Sequence, residues 1–261
     1  MKSLLTAALR PIGFSLVSIG FDPRLLGNLR HVWRYLRTRD TFRRRGGVIT
    51  NTAPILTDFT SLAGTAKGHY FHQDLLVATM VHEANPRRHI DIGSRVDGCV
   101  AHIASFRPVE VLDIRDLPSC GHPNIQFLKA DLMEPAAAMQ GAADSVSCLH
   151  AIEHFGLGRY GDPIDPEGHV KGFRNICRMV APGGRLYISF PVARKRQVVF
   201  NAHRVFKPSD IFDWFEADLR FTLCSFSFVD DAGALLRDVA VDDPRVDADY
   251  GCGIYTFVRD A

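Results

Sequence analysis

The stretch from His89 to Arg115, HIDIGSRVDGCVAHIASFRPVEVLDIR, constrains the fold more than any other part of the chain. A short apolar strand ends at Asp91, and a tight turn passes through Gly93. The helix-patterned CVAHIASF follows, and a second apolar strand, VEVLDI, carries Asp113 near its end. Strand, turn, helix and parallel strand make a right-handed βαβ unit, the half-module of a nucleotide-binding sheet. A glycine after the first strand lets the backbone approach a ligand closely, and an acid about 20 residues further on is placed to bond ribose hydroxyls. Such units occur in many folds, so the neighbouring segments must narrow the reading.

They do so in chain order. IQFLKADL reads as a third strand that closes on Asp131. SVSCLHAIEHF reads as a fourth, leaving His150, Glu153 and His154 around its C-terminal end. A helical stretch then leads to a turn and fifth strand in VAPGGRLYISFPV. RFTLCSFSFVDD and CGIYTFVRD read as two closing strands forming a hairpin-like edge, after a helix capped by Ser209. The 261 residues suffice for one sizeable α/β domain with an N-terminal extension, divided as 1–59 and 60–261. Apolar residues at 46% and charged residues at 23% exclude a disordered chain. A net charge of +2 gives no reason to expect a nucleic-acid partner.

The first 23 residues contain an apolar run broken by Arg10 and Pro11, with no convincing cleavage site after it. No run of about 18 apolar residues occurs, so the expected location is cytoplasmic. Pro23 opens a helix pattern in which Leu25, Leu29, Val32, Trp33 and Leu36 form an apolar stripe among arginines. Such a basic amphipathic helix suits packing on the domain, packing on a second copy of the chain in a homo-oligomer, or peripheral contact with an anionic membrane surface. The six cysteines (99, 120, 148, 177, 224 and 252) form no CxxC pair and read as buried reduced thiols.

With GHYFHQDLLVA, HIDIGSRVDG, LHAIEHFGLGRYGDPIDPEGH and FNAHRVFKPSDI in view, the chain resembles the class I S-adenosylmethionine-dependent methyltransferases. More closely it is similar to an uncharacterised bacterial branch, often called DUF268, found among polysaccharide-biosynthesis proteins. This likeness covers about residues 60–208. It implies a Rossmann-like α/β sheet of seven mostly parallel strands, the last antiparallel, with S-adenosylmethionine as cofactor. It also implies methyl transfer to a hydroxyl of a sugar or glycan acceptor. The alternatives are a nucleotide- or nucleotide-sugar-binding enzyme of other chemistry and a non-catalytic methyltransferase-like binding subunit.

Carried onto this chain, the resemblance assigns cofactor contacts to Asp91, Gly93, Ser94, Arg95, Asp113, Ile114, Asp131, Leu132 and His150. Asp113 would bond the ribose and Asp131 the adenine amino group, with Leu132 offering its backbone amide. One departure stands out: the usual acid-x-Gly-x-Gly-x-Gly becomes a run with Arg95 and Asp97 in the second and third glycine places. Arg95 then either pairs with the cofactor carboxylate or obstructs the usual pose. His154, just past the fourth strand, is the candidate general base, because imidazole titrates near neutral pH. His203, on the loop after the fifth strand, is the runner-up. Glu153 orients a neighbour or bonds the cofactor. Tyr70, His72, Arg159, Tyr160, Asp162, His169 and Arg204 are candidate acceptor contacts, with Gln73 beside them. Asp162, Asp165 and His169 match no trusted metal-ligand spacing, so no metal is expected.

Overall fold

The computed structural model describes residues 23–118, 121–135 and 137–261. The apolar run broken at Arg10 and Pro11 and the expectation of a buried Cys120 lie outside them. The chain divides into two compact units at Thr65/Ala66. In the first, a 3-10 segment (Pro23–His31) leads into helix α1 (Val32–Arg44), which buries none of its side chains. Trp33, on the apolar stripe, is 78% exposed. Within that unit the Arg34 guanidinium lies 4.4 Å over the Phe59 ring. Among the described residues no helix is long and apolar enough to cross a membrane.

The second unit is built on an eight-stranded sheet in the order β3-β2-β1-β4-β5-β10-β8-β9. The strands are β1 (His89–Ile92), β2 (Val109–Asp113), β3 (Ile125–Lys129), β4 (Ala143–Leu149), β5 (Val180–Val192), β8 (Phe221–Val229), β9 (Leu235–Leu236) and β10 (Gly251–Arg259). β1 to β5 are parallel, whereas β10 runs antiparallel to both of its neighbours, β5 and β8. The closing strands therefore pair as expected but do not form an edge. β10 inserts between β5 and β8, and the two-residue β9 is an eighth strand at the border. A separate hairpin joins β6 (Gln197–Val199) to β7 (His203–Val205).

Helices α2 (His69–Ala84) and α3 (Ala101–Ala104) cover one face of the sheet, and α4 (Gly168–Met179) covers the other. Leu76, Val77 and Val81 of α2 pack with Val100, Ile103, Val111 and Ile254. Phe173 and Ile176 of α4 pack with Ile90, Ile92, Leu186 and Phe190. Strands covered on both sides read as near-continuous apolar runs, which is why β4 and β5 were legible. Ser209 lacks a side-chain cap bond, and only a single 3-10 turn (Asp210–Asp213) follows it, so the expected helix there is absent. Among the described cysteines, Cys99, Cys148, Cys177 and Cys252 are free and buried, but Cys224 is exposed.

Gly93 explains the turn after β1. Its φ is +66°, and a Cβ there would lie 2.9 Å from the Ala151 methyl, so glycine is required on both counts. Its amide donates to the Leu112 carbonyl at 2.9 Å, tying the turn to β2. The topology thus brings the C-terminal ends of β1 to β4 together, where open α/β sheets bind ligands.

Candidate active site

Two cavities adjoin at those strand ends. One is narrow, about 50 Å³, and runs along Ile92, Leu112, Asp113, Ile114, Asp131 and Leu132. The other is polar, about 320 Å³, and is faced by His69, Arg95, Glu153, Arg159, His203 and Tyr250. Gly93, Arg115, His150, His154 and Tyr160 line both, so they form the shared wall.

The apolar cavity gathers most of the expected cofactor contacts. Asp113 ends β2, and Asp131 follows β3, where its carboxylate accepts the Met133 amide at 2.9 Å. Asp113 is not free: Arg115 donates to it from the backbone at 2.8 Å and from the guanidinium at 2.9 and 2.5 Å. The same guanidinium lies 4.3 Å over the Tyr160 ring, which narrows the cavity where it meets its neighbour. Asp91 is placed elsewhere. It is fully buried, accepting from the Ser94 hydroxyl at 2.7 Å and the Ser147 hydroxyl at 2.5 Å. Burial pushes its pKa up to about 6 against those bonds. Asp91 and Ser94 therefore brace the turn under the cavity and line neither of the two. Arg95 pairs with Asp97 at 2.7 Å and reaches 5.2 Å over Tyr70, on the polar side.

His154 has a fixed orientation. Its Nδ1 is 2.7 Å from the Ala202 carbonyl, an acceptor only, so Nδ1 carries the proton and Nε2 keeps its lone pair. Arg159 donates to the same carbonyl at 2.7 Å, and Glu153 lies 3.7 Å from Nε2. Burial lowers the His154 pKa, Glu153 works the other way, and Arg159 adds to the lowering; the net direction is down. His154 is thus neutral at pH 7 with an available lone pair. His203 faces the polar cavity with its ring 5.4 Å from Tyr250, and burial lowers its pKa as well.

His150 follows directly after β4 in a left-handed conformation, φ +50°, which is costly for a residue with a side chain. Its Nδ1 meets the Glu153 carboxylate at 2.8 Å, in a pair that is nearly wholly buried. Burial opposes a charge on His150, but the Cys252 sulfur and Glu153 overcome it and hold its pKa well above the usual histidine range.

Four expected acceptor contacts lie outside both cavities or serve the scaffold. His72 turns its Nε2 to the Gly233 carbonyl at 3.1 Å. Asp162 stitches its own loop, accepting the amides of Gly156 at 2.8 Å and of Gly158 and Tyr160 at 3.1 Å. That loop is tight: Gly156 has φ +78°, and a Cβ there would collide with the Asp165 carbonyl. His169 is packed between Phe206 and Trp214, and burial lowers its pKa to about 4. Arg204 is 5% exposed and donates to the carbonyls of Phe155 (2.6 Å), Pro166 (3.2 Å), Asp165 (3.3 Å) and Glu153 (3.4 Å). Gln73 is in the core, bonded to Ser189 at 2.6 Å. Tyr70, Arg159 and Tyr160 do face the polar cavity. Three of its residues, His69, Arg115 and Tyr250, escape sequence reasoning; for Arg115 the signal was its place two residues after Asp113.

The family described as "Caenorhabditis protein of unknown function, DUF268" matches residues 125–215, about a third of the chain. No curated protein matches. Among solved structures the chain is similar to the [4+2]-cyclase SpnF at 15% identity and TM-score 0.51, over 76% of this chain and 86% of that one. It is similar also to the Burkholderia thailandensis 1,6-didemethyltoxoflavin-N1-methyltransferase, solved with 1,6-didemethyltoxoflavin and S-adenosylhomocysteine. There the identity is 15% and the TM-score 0.50, over 72% of this chain and 79% of that one. The CurJ carbon methyltransferase gives 10% and 0.50, over 72% and 54%. At such identities the likeness concerns the fold, and one protein that shares it is named for another reaction. With its parallel β1 to β5 and antiparallel β10, this chain has the Rossmann-like fold of the class I methyltransferases.

Proposed function

We propose that the chain is an S-adenosylmethionine-dependent O-methyltransferase acting on a sugar or glycan hydroxyl, in keeping with the resemblance to polysaccharide-biosynthesis proteins. The observation that carries this reading is His154, a neutral imidazole of fixed tautomer in the wall between an apolar cavity and a polar one. The donor set suits the cofactor: Asp113 and Asp131 for the polar edges of a nucleoside, Leu112, Ile114 and Leu132 for its ring. Room for it requires Arg115 to swing off Asp113 and Tyr160, and as a half-exposed surface side chain Arg115 has room to do so. When bound, the cofactor supplies an electrophilic methyl group. The chain's own part is to hold the acceptor and take its proton.

In that role the polar cavity holds the hydroxylated acceptor between Tyr70, Arg159 and Tyr160. His154 Nε2 removes the hydroxyl proton as the oxygen attacks, and Glu153, held ionised by His150, stabilises the imidazolium formed. Two results test this. In calorimetric titration, S-adenosylmethionine and S-adenosylhomocysteine are expected to bind, with affinity lowered about 10- to 100-fold by Asp113→Ala through loss of a charge-assisted ribose contact. Undiminished binding in Asp113→Ala would remove the ribose assignment, and no binding to the unaltered chain would favour the nucleotide-sugar or scaffold alternatives. The second is a pH profile. Because the base must be neutral and its pKa is depressed, kcat/KM should stay level below the ordinary histidine value of about 6.5 and fall only at lower pH. An acid limb centred above that value would contradict the assignment.

A further inference from the structure

We infer that His69, His150 and Cys252 form a binding site for a divalent transition-metal ion of the zinc type. The inference does not rest on methyl transfer and would stand if the chain bound no cofactor. The three residues come from distant parts of the chain. His69 is the first residue of α2, His150 the residue just after β4, and Cys252 the second residue of β10. One ligand atom from each lies within 4.8 Å of the other two. Two imidazoles and a thiolate are the donors that suit zinc, and three protein ligands leave the fourth tetrahedral position open.

Four observations point to a cation there. The Nδ1 of His150 is committed to Glu153 at 2.8 Å, which leaves Nε2 as the available nitrogen. That Nε2 is buried and has no hydrogen-bond partner among the described residues. A histidine oriented by a carboxylate behind it is the recurring outer shell of metal sites. The Glu153 Oε2 is likewise buried without a partner among the described residues, so a carboxylate stands directly behind His150. On binding, the ion would displace the proton that His150 holds, and a thiolate and a carboxylate beside the two imidazoles would then balance its charge. Finally, His150 is held at φ +50°, a sparsely populated backbone conformation of the kind that clusters at functional sites.

The ligand set can close on one ion. Bonds of about 2.0 to 2.3 Å place tetrahedral ligands roughly 3.5 Å apart, so the three must draw in by about 1 Å. His69 can supply that movement. It is half-buried at the start of its helix, next to Gly68 at φ +93°, and its ring stacks on His150 with centroids 5.2 Å apart. His69 and His150 line the polar cavity, whereas Cys252 is fully buried behind them, so the open position faces the cavity that holds the acceptor. There the ion would polarise an oxygen of whatever the cavity binds.

The test is metal titration of the full chain, reduced and stripped with a chelator, using cobalt(II) chloride followed by zinc chloride. The expected result is uptake of one equivalent of cobalt with visible bands of a tetrahedral ion and a near-ultraviolet thiolate charge-transfer band, all erased by zinc. Cys252→Ser should remove the charge-transfer band, and Glu153→Gln should weaken uptake by about 10- to 100-fold through the outer shell. Should Cys252→Ser fail to fold, His69→Ala decides, because that residue is half-buried at a helix end and its loss should abolish stoichiometric uptake. His72→Ala, three residues on and turned to Gly233, should leave uptake unchanged. Failure to take up cobalt, or uptake without the thiolate band or indifferent to His69→Ala, would overturn the site.

Discussion

Replacing His154 with alanine is expected to lower kcat by about 10²- to 10⁴-fold, the usual contribution of a positioned general base, with cofactor affinity nearly unchanged. The reading is S-adenosylhomocysteine release with any acceptor that supports turnover. Four histidines face the shared wall or the polar cavity, and their surroundings separate them. Burial lowers the His69 pKa to about 4, too weak a base for the role. His150 gives its Nδ1 to Glu153, and its pKa is held too high for a proton acceptor. No hydrogen bond among the described residues orients the ring of His203, so its alanine variant should cost less than about tenfold. Only His154 has a proton pinned on Nδ1, a bare Nε2 and a pKa pressed downward. Added imidazole should restore part of the lost turnover in His154→Ala, which a merely structural histidine would not allow. Full activity in that variant, or no rescue with a collapsed cofactor affinity, would remove His154 from the base role.

How much of this was legible in the sequence follows from what kind of partner each residue has. Asp113 and Asp131 were readable because strand C-termini in a parallel sheet converge on one edge, whatever the rest of the chain does. Asp91 follows a different rule. In HIDI the period of two turns Ile90 and Ile92 to one core and places His89 and Asp91 on the opposite face. There Ser145, Ser147 and Ser94 complete their hydrogen bonds. The alternation was visible, but the serines that make it affordable come from β4 and from the turn after β1. Asp162 was read as an acceptor contact because polar side chains in the Gly- and Pro-rich GLGRYGDPIDPEGH suit a ligand, and Arg204 because a guanidinium suits a phosphate or carboxylate. Their partners are backbone amides and carbonyls of the same region, which leave no mark on spacing. His69, Tyr250 and Cys252 were unreadable as a group for a topological reason: only the insertion of β10 between β5 and β8 brings the C-terminal segment beside His150.

Arg204→Met is expected to destabilise the fold by about 3–5 kcal/mol, as when one partner of a buried, hydrogen-bonded charged group is removed. The guanidinium spans two chain segments. It donates to Glu153 and Phe155, at the end of the turn carrying His154, and to Asp165 and Pro166, at the far end of the loop before α4. Without it those carbonyls lose their donor in a region that water reaches poorly, and the methionine supplies volume but no N–H. Lysine in the same place keeps the charge but lacks the planar fork, so Arg204→Lys should recover only part of the loss. Denaturant unfolding should show the midpoint falling while the m-value holds, since the surface exposed on unfolding is unchanged. The loss should also reach the active site, because the freed loop carries Arg159 and Tyr160 into the polar cavity and Glu153 and His154 into its wall. A change below about 1 kcal/mol would mean that the carbonyls find water instead and that the loop does not depend on this arginine.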